Sequence, residues 1–143
     1  MSSTTRTIPE RSKQVRPPIS PEEERIGGAV VHAAFLVHKA LGPGLLESVY
    51  ETCFCHELTK AGIPHARQKR VSIAYDGLAF EEGLQLDVLA ADLVICELKA
   101  VQDVHPIFRA QLLSYLRLTG KRLGFLINFN SPLIRDGIER IAL

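Results

Sequence analysis

The sequence is poor in the residues that mark secreted, membrane and highly charged proteins. It has no tryptophan, one methionine and three cysteines, and its net charge is only +1. Three cysteines do not form an even disulfide framework, so we expect a reducing compartment and a cytoplasmic protein. No apolar run approaches the ~20 residues of a membrane span, and the N-terminus lacks the apolar stretch of a secretory signal. We therefore expect no membrane partner.

Positive charge is concentrated near the N-terminus. Residues 1–19 are polar, contain proline and lack periodicity, which is typical of a disordered basic tail. The remaining residues, 20–143, have a length that suits one domain of roughly 100–150 residues. A near-neutral domain is not typical of a tight, nonspecific DNA-binding protein, so nucleic-acid contact must depend on a local patch or on metal ions.

Helix signals occur at three places. Ser20 and Pro21 form an N-cap and a first helical position, and apolar residues then recur at helical spacing. A second helix is predicted over residues 45–61 and a third over residues 107–119, each ended by glycine. The predicted strands are residues 71–75, 78–90, 93–100 and 122–129, with an edge strand over 137–143.

The order of these elements predicts an α/β fold. Three antiparallel strands follow the first two helices, and a strand–helix–strand crossover then adds a parallel strand. Asp76-Gly77 is a hairpin signal between the first two strands, and Gly83 is a plausible site for a bulge. We predict a mixed sheet flanked by helices.

The strand pair over residues 84–100 carries charges where a buried strand should be apolar. Asp87 lies in the first strand, and Glu97 and Lys99 share one face of the second. Asp87 faces Glu97 only across an odd loop, residues 91–93, or a bulge with the same effect. A two-residue turn would instead oppose Asp87 to Cys96. We predict the odd loop.

With this register, Asp87 and Glu97 offer hard oxygen ligands suited to Mg²⁺ or Mn²⁺. Lys99 would lie near an attacking water or a scissile phosphate. A carboxylate–lysine salt bridge at a sheet edge explains these three residues about equally well. A buried ion-pair network without other function is less favoured, because such networks seldom improve stability over apolar packing.

Two acids on the second helix are less clear from spacing. Glu47 falls at the margin of the apolar stripe, where it can be a helix N-terminal charge or an acid that reaches the sheet. Helix geometry alone favours the first interpretation. Glu57 falls nearer the centre of the stripe, so we expect it to have a buried partner such as an arginine.

These residues carry a resemblance to a known family. Asp87, nine intervening residues and Glu97-Leu98-Lys99 resemble the pattern of the PD-(D/E)XK nuclease superfamily, although Leu86 stands where its name has proline. Residues 44–50, GLLESVY, resemble the motif of the GxxExxY family within it. The similarity covers residues 24–143, including the blocks ELKA, QLLSYLRLTGKRLGFLINFN and DGIERIAL.

The resemblance implies a restriction-endonuclease-like core and a set of roles. Asp87, Glu97, the Leu98 carbonyl and Glu47 would hold the metal, Lys99 would be catalytic, and Glu47 becomes an active-site acid. Gln111 and Tyr115 resemble a Q-X-X-X-Y motif and would orient Lys99 or contact DNA.

We therefore expect a nuclease that uses Mg²⁺ or Mn²⁺ and hydrolyses DNA, with RNA as a further candidate substrate. The alternative is a catalytically silent nucleic-acid-binding or regulatory module on the same fold. A homodimer would provide two sites for cutting a duplex.

Overall fold

The computed structural model describes residues 16–143, so most of the predicted tail, residues 1–15, lies outside the described residues. Within residues 16–143, four helices and five strands follow one another in nearly the predicted order. They are α1 (Pro21–Leu41), α2 (Glu47–Lys60), β1 (His65–Tyr75), β2 (Leu78–Ala90), β3 (Val94–Lys99), α3 (Pro106–Thr119), β4 (Leu123–Asn128), α4 (Ile134–Gly137) and β5 (Ile138–Ala142). The short helix α4 was not predicted.

The five strands form one mixed sheet in the order β1-β2-β3-β4-β5. The β3–β4 pair is parallel and is joined through α3, whereas the other three pairs are antiparallel. This arrangement confirms the predicted α/β fold, and β5 is the predicted edge strand. The sheet with its helices is consistent with a restriction-endonuclease-like core.

Helices cover both faces of the sheet. The larger apolar cluster joins α1 and α2 to one face, and the smaller cluster joins α3 to the other. Strand β4 is buried at every position, and β3 at every position except its last. Burial on both faces explains why these two strands are nearly continuous apolar runs in the sequence rather than alternating ones.

Local signals at the start of α1 act as the sequence predicts. The Ser20 hydroxyl accepts the Glu23 N–H at 3.1 Å, and the Glu23 carboxylate accepts the Ser20 N–H at 2.8 Å. Just before this cap, the Arg122 guanidinium donates to the carbonyls of Pro17 and Pro18 at 2.6 and 3.2 Å. These contacts connect the described end of the predicted tail to the domain.

The β1–β2 hairpin contains both of its predicted irregularities. Asp76 and Gly77 form the turn with φ of 49° and 82°, as a two-residue hairpin loop requires. The register of the two strands shifts between Val71 and Ile73, opposite the segment that holds Gly83. A Cβ at position 83 would lie 2.4 Å from Ile73 Cγ1, so a side chain would not fit there.

Among the helices between residues 16 and 143, none has the length and apolar character of a membrane span.

Candidate active site

The loop between β2 and β3 has the predicted odd length. It consists of Ala91, Asp92 and Leu93, and the flanking pairs are Val88 with Cys96, Leu89 with Ile95 and Ala90 with Val94. Continued by one residue, this register places Asp87 opposite Glu97. The positive φ values of Ala91 and Asp92, 52° and 57°, produce the reversal. The predicted register is therefore confirmed.

At the acidic pair, side chains replace backbone groups as hydrogen-bond acceptors between the strands. The Asp87 N–H donates to Glu97 Oε2 at 3.0 Å, and the Leu98 N–H donates to Asp87 Oδ2 at 2.9 Å. The regular pairing of β2 with β3 ends one step earlier, at Val88 and Cys96. Each carboxylate thus bridges to the opposite strand through one oxygen.

Strand β2 changes phase at the same point. Leu84 and Leu86 pack in the cluster under α3, whereas Val88 and Ala90 pack in the cluster under α1 and α2. A regular strand would keep these even-numbered residues on one face. The acidic pair therefore lies where the sheet is locally irregular.

Burial and mutual repulsion disfavour the charged forms of the acids. Glu97 is 4% exposed, and burial, followed by the charge of Asp87, raises its pKa to about 8. Burial also raises the pKa of Asp87, against the lowering effect of the Leu98 N–H. The pKa of Glu47 is raised by partial burial and then by the charge of Asp87. The three acids therefore interact electrostatically, and a bound cation would relieve their repulsion.

Lys99 lies among these acids without forming a close ion pair. Its Nζ atom is 4.2 Å from the centroid of the Phe108 ring, on the first turn of α3. Its charge lowers the pKa of Asp87, Glu97 and Glu47. Within residues 16–143, the ion pairs closer than 4.0 Å do not include Lys99, so the alternative of a simple carboxylate–lysine salt bridge is not what the structure contains.

The segment 44–50 holds Glu47 at the start of α2. Gly44 has φ of 98°, which favours glycine, and Glu47 is the first residue of the helix. Tyr50 is fully buried, and its hydroxyl accepts the Leu45 N–H at 3.0 Å and donates to the Gly42 carbonyl at 2.6 Å. The glycine and the tyrosine therefore fix the turn that leads into Glu47.

Helix α3 contributes Gln111 and Tyr115. Tyr115 is half-buried, and its pKa is raised by burial and then by the charges of Glu97 and Asp87. Gln111 is exposed one turn earlier on the same helix.

The buried acid of α2 is Glu51, not the predicted Glu57. Glu51 is 7% exposed and accepts hydrogen bonds from Arg67 and Gln68, whereas Glu57 pairs with the exposed Lys60 at 3.3 Å. The sequence did contain a signal, because Glu51 lies one helical turn after Glu47 and therefore on the same side of α2. An arginine partner was expected for Glu57, but the arginine, Arg67, pairs with Glu51 instead.

A second set of contacts, also missed, fixes the end of β3. Asn128 is 3% exposed, and its side-chain amide exchanges two 3.0 Å hydrogen bonds with the backbone of Val101. The N–H of Phe129 donates to the Lys99 carbonyl at 2.9 Å. These bonds continue the pairing of β3 with β4 past Lys99 and hold its backbone in place.

The donor set suits a hard divalent cation in kind but is not preassembled. Asp87 and Glu97 present carboxylate oxygens, which Mg²⁺ and Mn²⁺ prefer. In the part of the chain that is described, no three His, Cys, Asp or Glu side chains lie close enough to hold a metal ion together. A metal ion would therefore bind first to Asp87 and Glu97, and the Glu47 side chain would have to move closer to act as a third ligand.

One comparison with known proteins gives a match. The sequence profile of the PD-(D/E)XK nuclease superfamily matches residues 24–141, which is most of the chain. The protein belongs to this superfamily. No match was found among curated proteins or among solved structures.

Proposed function

We propose that the protein is a metal-dependent nuclease that hydrolyses phosphodiester bonds in DNA. One observation carries the proposal: Asp87 and Glu97 lie at facing positions of adjacent strands, and Lys99 follows Glu97 on the same face of β3. Membership of a superfamily of nucleases supports it.

Asp87, Glu97 and the Leu98 carbonyl would hold Mg²⁺ or Mn²⁺, and Glu47 would complete the ligand set. Each of the two strand carboxylates uses one oxygen for an opposing backbone N–H, which fixes its orientation. When bound, the cation supplies a Lewis acid for the phosphate and lowers the pKa of an attacking water. Burial is the main reason that the pKa values of both acids are raised, and a bound cation would favour their charged forms.

Lys99 supplies a second positive charge, beside that of the metal ion, near the reacting phosphate. Its ammonium group can donate hydrogen bonds to the attacking water or to a phosphate oxygen as charge develops there. Phe108 holds the ammonium at 4.2 Å from its ring centroid, so the side chain is kept close to the acids without being neutralised by them.

Glu47 and the two α3 residues act at the solvent side of the site. Glu47 is exposed, and the fixed turn before α2 would direct its carboxylate to the metal or to a water proton. Tyr115 would orient Lys99, and the exposed Gln111 would contact the substrate backbone.

A catalytically silent nucleic-acid-binding module is the second candidate. The observation that favours it is the lack, among the described residues, of a ready-made cluster of three metal-ligating side chains. In such a module, the acidic pair would serve only to join β2 to β3 through its two hydrogen bonds.

The test is a cleavage assay with purified protein. Wild type, Lys99→Ala and Asp87→Ala are each incubated with single-stranded DNA, duplex DNA or RNA in the presence of Mg²⁺ or Mn²⁺. We expect metal-dependent cleavage of DNA that both substitutions abolish. Cleavage that survives both would refute the assignment, and salt-dependent binding without cleavage would favour the module. Light scattering of the same samples tests for the homodimer.

A further inference from the structure

An apolar groove lies between the C-terminal half of α1 and the loop that leads into α4. Its cavity of about 510 Å³ has apolar walls and a few polar side chains, and it is lined by Phe35, Leu36, His38, Lys39, Pro132, Leu133, Ile134 and Arg135. Phe35 and Leu133 are 42% and 52% exposed. Pockets of roughly 300–1,000 Å³ hold small organic groups, so this groove has room for a nucleobase with its sugar.

The two walls of the groove are fixed to each other. His38 Nε2 donates to the Ser131 carbonyl at 2.8 Å, which joins α1 to the loop before α4. Ile134, the first residue of α4, is buried in the apolar cluster that contains α1 and α2. A ligand would therefore enter a groove whose walls are already in place.

The charged side chains around the groove are all positive. Among the described residues that line it, Lys39 and Arg135 carry charge and none is acidic. Within residues 16–143, neither cation has a carboxylate partner within 4.0 Å, and both are exposed. They are therefore available to an anion. A nucleic-acid strand combines phosphates with flat bases, which are the two kinds of group that this surface can bind.

The groove lies at the edge of the sheet that carries the candidate active site. Asn128 pairs with Lys99 across β4 and β3, and a Cβ at Gly137 of α4 would collide with the Asn128 carbonyl oxygen. On the other wall, α1 ends just before Gly42, where the turn that leads into Glu47 begins. Each wall of the groove is thus continuous with a segment that holds a residue of the site.

We propose that this groove is a subsite for an unpaired nucleotide of a single strand, with its base against Phe35 and its phosphates at Lys39 and Arg135. The proposal rests on the proposed nuclease function and specifies its substrate. A base that is paired and stacked in a duplex cannot enter a groove, whereas an unpaired base of any sequence offers a flat face to an aromatic ring. The protein would therefore favour single strands, or strands with unpaired nucleotides, over a continuous duplex.

The test measures strand binding in EDTA, where metal-dependent cleavage cannot contribute. Fluorescence anisotropy gives the Kd of a fluorescein-labelled oligothymidylate, of an abasic strand with the same number of phosphates, and of the corresponding duplex. Phe35→Ala removes the stacking surface, and Lys39→Gln removes one cation. Phe80→Ala is the matched control for the first, since Phe80 is 48% exposed in the β1–β2 hairpin. Lys121→Gln is the control for the second, because Lys121 lies just before β4 and the groove follows the end of that strand.

We expect wild type to bind oligothymidylate about 10-fold more tightly than the abasic strand, which is the order of effect of stacking a base on an aromatic ring. Phe35→Ala should bind both strands as weakly as wild type binds the abasic one. Lys39→Gln should weaken the binding of both and reduce the slope of log Kd against log salt by about 0.7, the value for one phosphate contact on a single strand. Duplex should bind more weakly than oligothymidylate. Both controls should match wild type, and Tm should be the same in every variant.

Several results would overturn the subsite. Wild type that binds neither strand, or binds both equally, would do so, and equal binding is the result expected if the groove serves an acidic protein segment instead. A preference for bases that persists in Phe35→Ala would place the stacking elsewhere. If Phe35→Ala has a lower Tm, an unchanged salt slope in Lys39→Gln would still refute the phosphate contact.

Failure of the subsite and failure of the nuclease function give different results. Metal-dependent cleavage by wild type, together with unaltered strand binding in both variants, would remove the subsite alone. Base-dependent binding that requires Phe35, without cleavage in any metal, would remove the nuclease function and keep the groove as a nucleic-acid-binding site.

Discussion

The ring of Phe129 stacks on the ring of Tyr50, with centroids 4.7 Å apart and planes 5° from parallel. Phe129 follows β4, and its N–H is bonded to the Lys99 carbonyl. Tyr50 fixes the turn before Glu47 through its hydroxyl. This single contact therefore connects the strand end that carries the lysine to the helix start that carries the outer acid.

Tyr50→Phe tests the hydroxyl without disturbing the stack. The substitution leaves the Leu45 N–H and the Gly42 carbonyl without their partner, so we expect a loss of about 2 kcal/mol in the free energy of unfolding. Cleavage should also fall, because Glu47 is no longer held at its helix start. Urea unfolding measures the first effect. Tyr75→Phe is the control, since Tyr75 is 72% exposed and should tolerate the change. Equal stability of the two variants would contradict the role given to the Tyr50 hydroxyl.

Lys99→Ala should separate catalysis from metal binding. Loss of a preorganised charge near the reacting phosphate is expected to reduce kcat by at least about 100-fold. Mn²⁺ affinity should be kept or increase, because a positive charge beside the acids is removed. Calorimetry and a cleavage time course measure the two effects. Lys60→Ala, which removes an exposed lysine paired with Glu57, should change neither. A parallel loss of Mn²⁺ binding would show that Lys99 supports the fold of the site instead.

Much of the fold could be predicted because its signals are local or strictly periodic. Ser20 and Pro21 start a helix through contacts within one turn. The odd loop before β3 follows from a simple condition, since Asp87 and Glu97 can share a face only with that register. The same condition predicts from the sequence alone that the two acids lie together.

The parts that could not be predicted depend on contacts between residues far apart in the sequence. Nothing near Gln68 in the sequence predicts its left-handed backbone, and its side-chain partners, Glu51 in α2 and Gln85 in β2, are distant in the sequence. The position of Lys99 over Phe108 depends on how α3 packs on the sheet. Helical phase predicts a buried partner for Glu57, but the buried acid of α2 is Glu51, because small errors in helical phase decide which acid of a helix is buried.

Metal binding should stabilise the fold through the acidic pair. Mn²⁺ at about 100 times its Kd is expected to raise the free energy of unfolding by about 2.7 kcal/mol. Asp87→Asn and Glu97→Gln should abolish this increase, because each removes a charged ligand. Thermal unfolding across a Mn²⁺ titration measures it. Asp92→Asn alters an exposed acid in the adjacent loop and should keep the full response. A response that persists in Asp87→Asn would place the ion elsewhere.

The pH dependence of stability in metal-free protein should report the burial of Glu97. Burial and the charge of Asp87 raise its pKa to about 8, above the ordinary 4.5, so folding favours the protonated carboxyl. A group with a raised pKa contributes stability that is full below the unfolded value and is lost as pH rises through the folded value. We therefore expect Tm in EDTA to fall between about pH 4.5 and pH 8 relative to Glu97→Gln, which remains neutral throughout. Added Mn²⁺ should reverse the fall near pH 8, since the ion stabilises the charged form. Parallel Tm profiles for wild type and Glu97→Gln in EDTA would show that Glu97 does not titrate in this range.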